Sequence, residues 1–350
     1  MRLLTHWAVV VVLCGWFTSP VEAKCPKCRV ATGDLEIPRQ LDPEVTTSSG
    51  TQPAADDRTF RGFSIAFGID VPTAYYYRGY LQQDRGVILQ PFLTLSANFQ
   101  PAADCSIQPY IGWTNTIFSR DNGDLPVAHS GGVPRIFRSR VIEIPGDPPS
   151  FELQLVPLHD GRGWYESDIM VGVTVYWKDV FFDLNYHVHI FPSDVHDAMH
   201  EIGGKISYDL AGLWDATPAS QRSFSLRPGL TIYHETSDQN GDQETFIEVS
   251  LEPTWRFKLF GRRAAVSVPV ALAGSDDGYY VDANDFDTQT LGYFSAAVKG
   301  SISLPIDRKF GDWYLNASIQ YLHLISDGLV RFNRDDADAV IGSIGVGVSF

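Results

Sequence analysis

Cysteine is scarce in this chain, with four residues in 350, one of them (Cys14) inside the first 23. A secreted scaffold stapled by many disulfides is therefore excluded. Cys25 and Cys28 form a lone CPKC pair; it reads as a local disulfide, since a structural zinc needs two further ligands. Long apolar runs are missing too. Beyond residue 23 nothing matches the about 20 apolar residues of a membrane helix. Nor is there an excess of positive charge, because 27 Lys and Arg stand against 42 Asp and Glu, a net charge of −15. A nucleic-acid partner gripped through its phosphates is excluded on that ground. No cofactor motif is found.

What the chain does have begins with a leader. MRLLTHWAVVVVLCGWFTSPVEA places Arg2 before a short apolar core, Trp7 to Phe17, and ends in small residues at Ala23. That is the layout of a cleaved secretory signal peptide, residues 1–23. Residues 24–58 are rich in Pro, Thr, Ser and Asp without periodicity, the composition of a disordered periplasmic arm.

From Phe60 onward the period is two, as a half-buried strand requires. Ile169, Val171, Val173, Val175 and Trp177 alternate with Asp168, Met170, Gly172, Thr174 and Tyr176; Phe182, Leu184, Tyr186, Val188 and Ile190 alternate with Asp183, Asn185, His187 and His189. The pattern predicts twelve strands near 60–71, 86–99, 105–118, 165–177, 180–191, 204–214, 223–236, 244–260, 264–274, 290–304, 312–325 and 339–350. The connections between them are alternately long and short. An even strand count with that alternation points to a transmembrane antiparallel up-and-down β-barrel over residues 59–350. A soluble β-sandwich shows the same alternation. It is disfavoured by the strand length, since ordinary strands have about 5–6 residues. Trp113, Trp177, Trp214, Trp255 and Trp313 also fall near strand ends, where an interfacial girdle sits.

Proline recurs inside these strands, in ILQPFLTL, SIQPYIGW, SLRPGLTI and SLEPTWRF, always in the apolar phase. Proline has no N–H for a ladder. Centring a hairpin on Asn240-Gly241 sets Pro228 opposite Pro253, each lacking a bond only towards its outer neighbour.

The other phase supplies lumen candidates: Asp183, Asn185, His187, His189, Arg227, Glu248, Glu252 and Arg256, with Asp168 beside them. Such side chains either line a narrow channel or fill it with ion pairs. A histidine row with a carboxylate also suits an outer-membrane lipid hydrolase, although no serine motif accompanies it. In the next loop, PSDVHDAMHEIGG, a helix capped by Ser193 and running to Gly203 would set His196 and His200 one turn apart with Asp197 and Glu201 beside them. These are either a plain polar surface helix on the barrel mouth, the commoner case, or ligands of a divalent metal. DANDFD at 282–287 lacks the glycine and glutamate of a calcium loop.

The ending IGSIGVGVSF, with Phe350 in the outward phase, resembles the closing strand of bacterial outer-membrane proteins. That resemblance implies recognition of Phe350 by the outer-membrane insertion machinery, and residence in the outer membrane of a Gram-negative bacterium among its lipids. TAYYYRGYLQQDRGVILQPFLTL, with Tyr77-Arg78-Gly79, Gln82 and Gln90, resembles the first hairpin of a family of bacterial porin-like barrels. The expected function is a passive channel for small solutes or a structural barrel. A lipid hydrolase, or a receptor or adhesin using the 119–164 loop, are the alternatives.

Overall fold

A computed structural model describes residues 60–120, 137–144, 150–157, 163–192, 198–217, 222–237, 244–275, 280 and 289–350. The expected leader and arm with the CPKC pair, Asn240-Gly241, Ser193, His196, Asp197 and DANDFD lie outside the described residues.

The strands run from β1 (Phe60–Pro72) through β2 (Tyr75–Tyr77), β3 (Tyr80–Gln83), β4 (Ile88–Ala102), β5 (Cys105–Phe118), β6 (Phe137–Ile144), β7 (Ser150–Pro157), β8 (Gly163–Trp177) and β9 (Val180–Ile190). Then come β10 (Met199–Tyr208), β11 (Phe224–Glu235), β12 (Thr245–Leu259), β13 (Arg262–Ser267), β14 (Val270–Ser275), β15 (Leu291–Ser303), β16 (Asp312–Leu324) and β17 (Asp338–Ser349). A single helical turn and a half, α1 (Asp327–Phe332), precedes the last strand.

β2 pairs with β3 and β6 with β7 as separate hairpins, and the other thirteen segments form one sheet. β13 and β14 keep a single register against β12, from Leu259↔Arg262 to Phe246↔Ser275. They are one strand, interrupted at Val268-Pro269, so the barrel has twelve strands. β1 pairs with β4 on one side and β17 on the other, which closes the sheet and removes its edges. At the seam Phe350 N–H donates to Ile65 O at 2.9 Å, and Ile65 N–H donates to Phe350 O at 3.2 Å. The Phe350 ring stacks on Phe67 at a centroid distance of 6.1 Å.

Alternation decides what faces out. Phe63, Val171, Val249, Val298, Ile319 and Val340 are exposed, while their strand neighbours Ala66, Thr174, Glu248, Ala297 and Leu322 are buried. A continuous apolar belt of that size has no counterpart on soluble monomers. On a closed barrel it is the lipid-facing surface. The chain is an outer-membrane-type β-barrel.

The strand prolines interrupt ladders locally, most of them on one side only and Pro269 on both, and leave the sheet whole. The β4–β5 ladder skips Gln90-Pro91, and it skips again opposite Pro109, whereas Pro91 keeps its place against Ile69 and Pro109 against Val173. Pro228 ends the β10–β11 ladder, and Pro269 splits strand nine, while β11–β12 is continuous from Phe224 to His234. The expected register of that last hairpin is corrected, however. Pro228 lies opposite Leu251 and Pro253 opposite Leu226, a slip of two residues. A slip of two keeps every side chain on its own face, so the apolar pattern is blind to it.

Strand six is also corrected. It runs over Met199–Tyr208 instead of 204–214, so residues 199–203 are strand where the helix was expected to run on to Gly203. Leu210–Leu213 is a 3₁₀ turn capped by Asp209. Gly203-Gly204 reads as punctuation in the sequence but lies mid-strand. A Cβ on Gly203 would strike the Tyr233 ring and one on Gly204 the Asp183 carbonyl. Both glycines serve close backbone approach.

Candidate functional site

The loop after β1 turns inward. Residues 75–83 form the β2–β3 hairpin, with Tyr75, Arg78, Tyr80, Leu81, Gln82 and Gln83 all buried. Its turn is Arg78-Gly79, with φ of 48° and 93°, the positive pair that a two-residue hairpin turn of type I′ requires. A non-glycine residue there costs about 1–3 kcal/mol unless its surroundings hold it. Here they do. Arg78 donates from both guanidinium nitrogens to Glu201 at 2.6 Å each, and its guanidinium carbon sits 4.5 Å from the Phe246 ring centroid and 5.2 Å from that of Tyr233.

Two further clamps hold the hairpin. Asn333, just past α1, donates to Gly79 O at 2.7 Å and accepts from Leu81 N–H at 2.7 Å. Tyr280 donates to Arg78 O at 3.2 Å. Around them Tyr80, Phe246, Ala273, Tyr280, Tyr293, Leu322, Leu324 and Leu329 make one apolar cluster, and Tyr75, Ile88, Phe118 and Tyr165 a second. The barrel end with the long connections is thus packed, and in this class that end faces the cell exterior.

Below the hairpin tip lies a polar cluster. The tight turn between β8 and β9 sets Asp168 opposite His189, with His187 two residues along the same strand and face. Asp168 Oδ1 is 2.8 Å from His189 Nδ1 and 3.7 Å from His187 Nε2. Glu201 Oε2 approaches His189 Nε2 at 3.5 Å. Glu166 is inward by the strand's alternation, two residues before Asp168, and a β-bulge at Tyr165, where Thr116↔Glu166 is followed by Ile117↔Trp164, turns Tyr165 inward beside it. Bulges often re-aim side chains in this way. Glu166 Oε1 then lies 3.3 Å from His189 Nδ1, and its other oxygen accepts from Tyr75 OH at 2.6 Å. Burial, then the Glu166 charge, hold the Tyr75 phenol well above its ordinary range, so it stays a donor. Burial, then the Asp84 and Asp336 carboxylates, push Tyr76 up to about 12.

The remaining lumen candidates take the inward phase of their strands but not this cluster. Asp183 accepts from Tyr110, Thr174 and Asn185. Arg227 faces Glu252, Glu248 accepts from Tyr293, and Arg256 donates to Ser225. Of the metal set expected on a helix, only His200 and Glu201 are among the described residues, and these two do not come together. His200 and Glu201 are strand neighbours and point to opposite faces: His200 Nδ1 meets Tyr186 OH at 2.8 Å on the outside, and Glu201 is buried inside. The ligand atoms that do converge are those of Asp168, His187 and His189, all within 4.8 Å of one another.

Among the described residues no serine, threonine or cysteine hydrogen-bonds to His187 or His189. Their polar neighbours are each other, carboxylates and Tyr77 OH, the latter 3.4 Å from His189 Nε2. A histidine activating a hydroxyl nucleophile needs it within about 2.6–3.2 Å.

No protein-family model and no curated protein matches the chain. Among solved structures it is similar to an outer-membrane channel from Pseudomonas putida F1, at 8% identity over 86% of this chain and 100% of that one, with a TM-score of 0.43. It is similar to LpxR from Salmonella typhimurium at 9% identity, covering 81% and 99%, with a TM-score of 0.41. The β domain of the Bordetella autotransporter BrkA gives 10% identity, 83% and 98% coverage, and a TM-score of 0.37.

Proposed function

We propose that the protein is a porin-like channel for small solutes whose outer mouth is closed at rest by the hairpin of residues 75–83. The supporting observation is the seating of that hairpin: its tip arginine is buried in the lumen on a bidentate carboxylate, and its stem is walled by aromatic rings. The other half of the lumen differs in character. Lys205, Arg227, Glu252, Arg256 and Lys299 point inward there and stay partly solvated, as water-filled barrel interiors allow. Closure at one end over a hydrated, charged half is the layout of a gated conduit. A barrel that only anchors has no need of it.

The test is conductance in a planar bilayer, comparing the full-length protein with a variant whose residues 74–84 are replaced by a short Gly-Ser link. The unaltered protein is expected to show low or rare conductance, and the variant a steady current several-fold larger. Equal and negligible currents from both would favour a structural barrel. Steady current from the unaltered protein equal to that of the variant would refute closure by the hairpin. The hydrolase reading is tested separately, by His189→Ala assayed for release of acyl chains from outer-membrane lipid.

A further inference from the structure

The cluster beneath the hairpin is richer than closure requires, since Arg78 and Glu201 already satisfy each other. Asp168, His187 and His189 lie beyond that pair. Two features of their geometry are unexplained by hydrogen bonding. His187 Nε2 is buried with no hydrogen-bond partner, and so is Asp168 Oδ1. The 2.8 Å approach of His189 Nδ1 to that oxygen is not aligned as a hydrogen bond. Buried polar atoms are almost always paired, and each exception calls for a cause such as an ion.

We propose that Asp168, His187 and His189 bind a divalent transition-metal ion of the zinc type inside the barrel, through Oδ1, Nε2 and Nδ1. Ligands on a tetrahedral zinc with bonds of 2.0–2.2 Å stand about 3.3–3.5 Å apart. The observed spacings of 2.8 Å and 3.7 Å bracket that value, and all three atoms fall within 4.8 Å. Small side-chain rotations on a rigid sheet close the difference. Glu166 Oε1, 3.3 Å from His189 Nδ1, offers a fourth vertex.

The surroundings match what metal-bound imidazoles have elsewhere. A ligating histidine donates its other N–H to a carboxylate, which fixes its tautomer and ring orientation. His189 Nε2 faces Glu201 Oε2 at 3.5 Å, and Glu201 is itself held by Arg78. The Glu166 oxygen not aimed at His189 is occupied by Tyr75. The donor set also selects the ion class: two imidazoles with carboxylates suit zinc and its transition-metal neighbours, whereas calcium and magnesium take all-oxygen sites. The His187 side chain keeps 15% exposure, which leaves the ion a way in from the lumen.

This inference goes beyond the gating reading and does not depend on it. The test uses full-length protein purified in detergent, stripped with a chelator and titrated with zinc against a chromophoric competitor. One equivalent is expected to bind, and cobalt in its place is expected to give tetrahedral visible bands. His187→Ala and the near-isosteric Asp168→Asn should abolish stoichiometric binding. Glu201→Gln should weaken it by about 10–100-fold. His200→Ala, on the outer face, should leave it unchanged. Heat-modifiable migration on a gel confirms that each variant is a folded barrel, and Asp168→Asn carries the test if His187→Ala is not. A folded protein that takes up no zinc overturns the proposal. So does zinc held equally by the Asp168→Asn variant, or zinc lost on substituting His200.

Discussion

Arg78 and Glu201 stand 123 residues apart in the chain and meet inside the barrel through two parallel bonds of 2.6 Å. Neither group keeps appreciable solvent access, with side-chain exposures of 6% and 1%. Removing one partner therefore strands the other, which costs about 3–5 kcal/mol. Arg78→Ala is expected to lower the midpoint of denaturant unfolding clearly, and Arg78→Ala with Glu201→Gln to recover much of the loss. Arg78→Lys should not rescue it, because an ammonium cannot make the two-pronged contact or lie flat on Phe246. Wild-type stability in Arg78→Lys would show that the fork geometry is irrelevant.

Asn333 ties the hairpin to the loop before the last strand through Gly79 O and Leu81 N–H. Asn333→Ala unpairs two buried backbone groups, at about 1–3 kcal/mol each if water does not replace the amide. The loss should be local. Hydrogen exchange at the amides of 75–83 is expected to quicken while the barrel strands stay protected. Uniform quickening across the sheet would contradict a clamp role.

Phe350 contributes two backbone bonds at the seam and a ring stacked on Phe67. Deleting it is expected to reduce the folded protein recovered from outer-membrane fractions severely, while the variant still refolds in detergent from urea. Equal defects in both settings would assign the residue to seam stability alone, with no part in recognition by the insertion machinery.

The β11–β12 register gives a direct chemical check. With cysteines at Leu226 and Pro253, or at Pro228 and Leu251, oxidation should form a disulfide readily, since directly opposed strand residues have Cβ atoms about 4.5–5.5 Å apart. Cysteines at Pro228 and Pro253 are diagonal neighbours and should cross-link more slowly. The reverse order of rates restores the register centred on Asn240-Gly241.

The strands were legible because lipid outside and polar groups inside impose the same two-residue period on every one of them. Val171 against Gly172 and Leu184 against Asn185 repeat a single rule. Strand six broke it only where Gly203-Gly204 imitates a stop. The two-residue slip at Pro228 preserves phase, so nothing in the pattern opposes it. For the cluster, His187, His189 and Asp168 were each visible as inward residues. The tight turn at Lys178-Asp179 sets Asp168 opposite His189, and counting back from that turn is the signal in the sequence for the pairing. Glu166 was legible as well, since it lies two residues before Asp168 in the same phase; what the bulge hid is the inward turn of Tyr165. Glu201 was hidden by assignment to a helix. The inward hairpin had a signal too: Tyr75, Tyr77, Tyr80 and Leu81 are too apolar for a connection meant to lie in water.

The hairpin's anchors have a consequence for assembly. It leaves the chain between the first two barrel strands, yet its partners lie 123 residues on at Glu201, 202 on at Tyr280 and 254 on at Asn333. Contacts of such separation are the last for which the chain can recover its loop-closure entropy. The hairpin's partners sit on both sides of the seam between β1 and β17, so the full set is assembled only once that seam is joined. Its docking is therefore expected to follow closure of the cylinder, with Arg78 solvated until then. The docking of the hairpin and the completion of folding are thus expected to coincide as one late event.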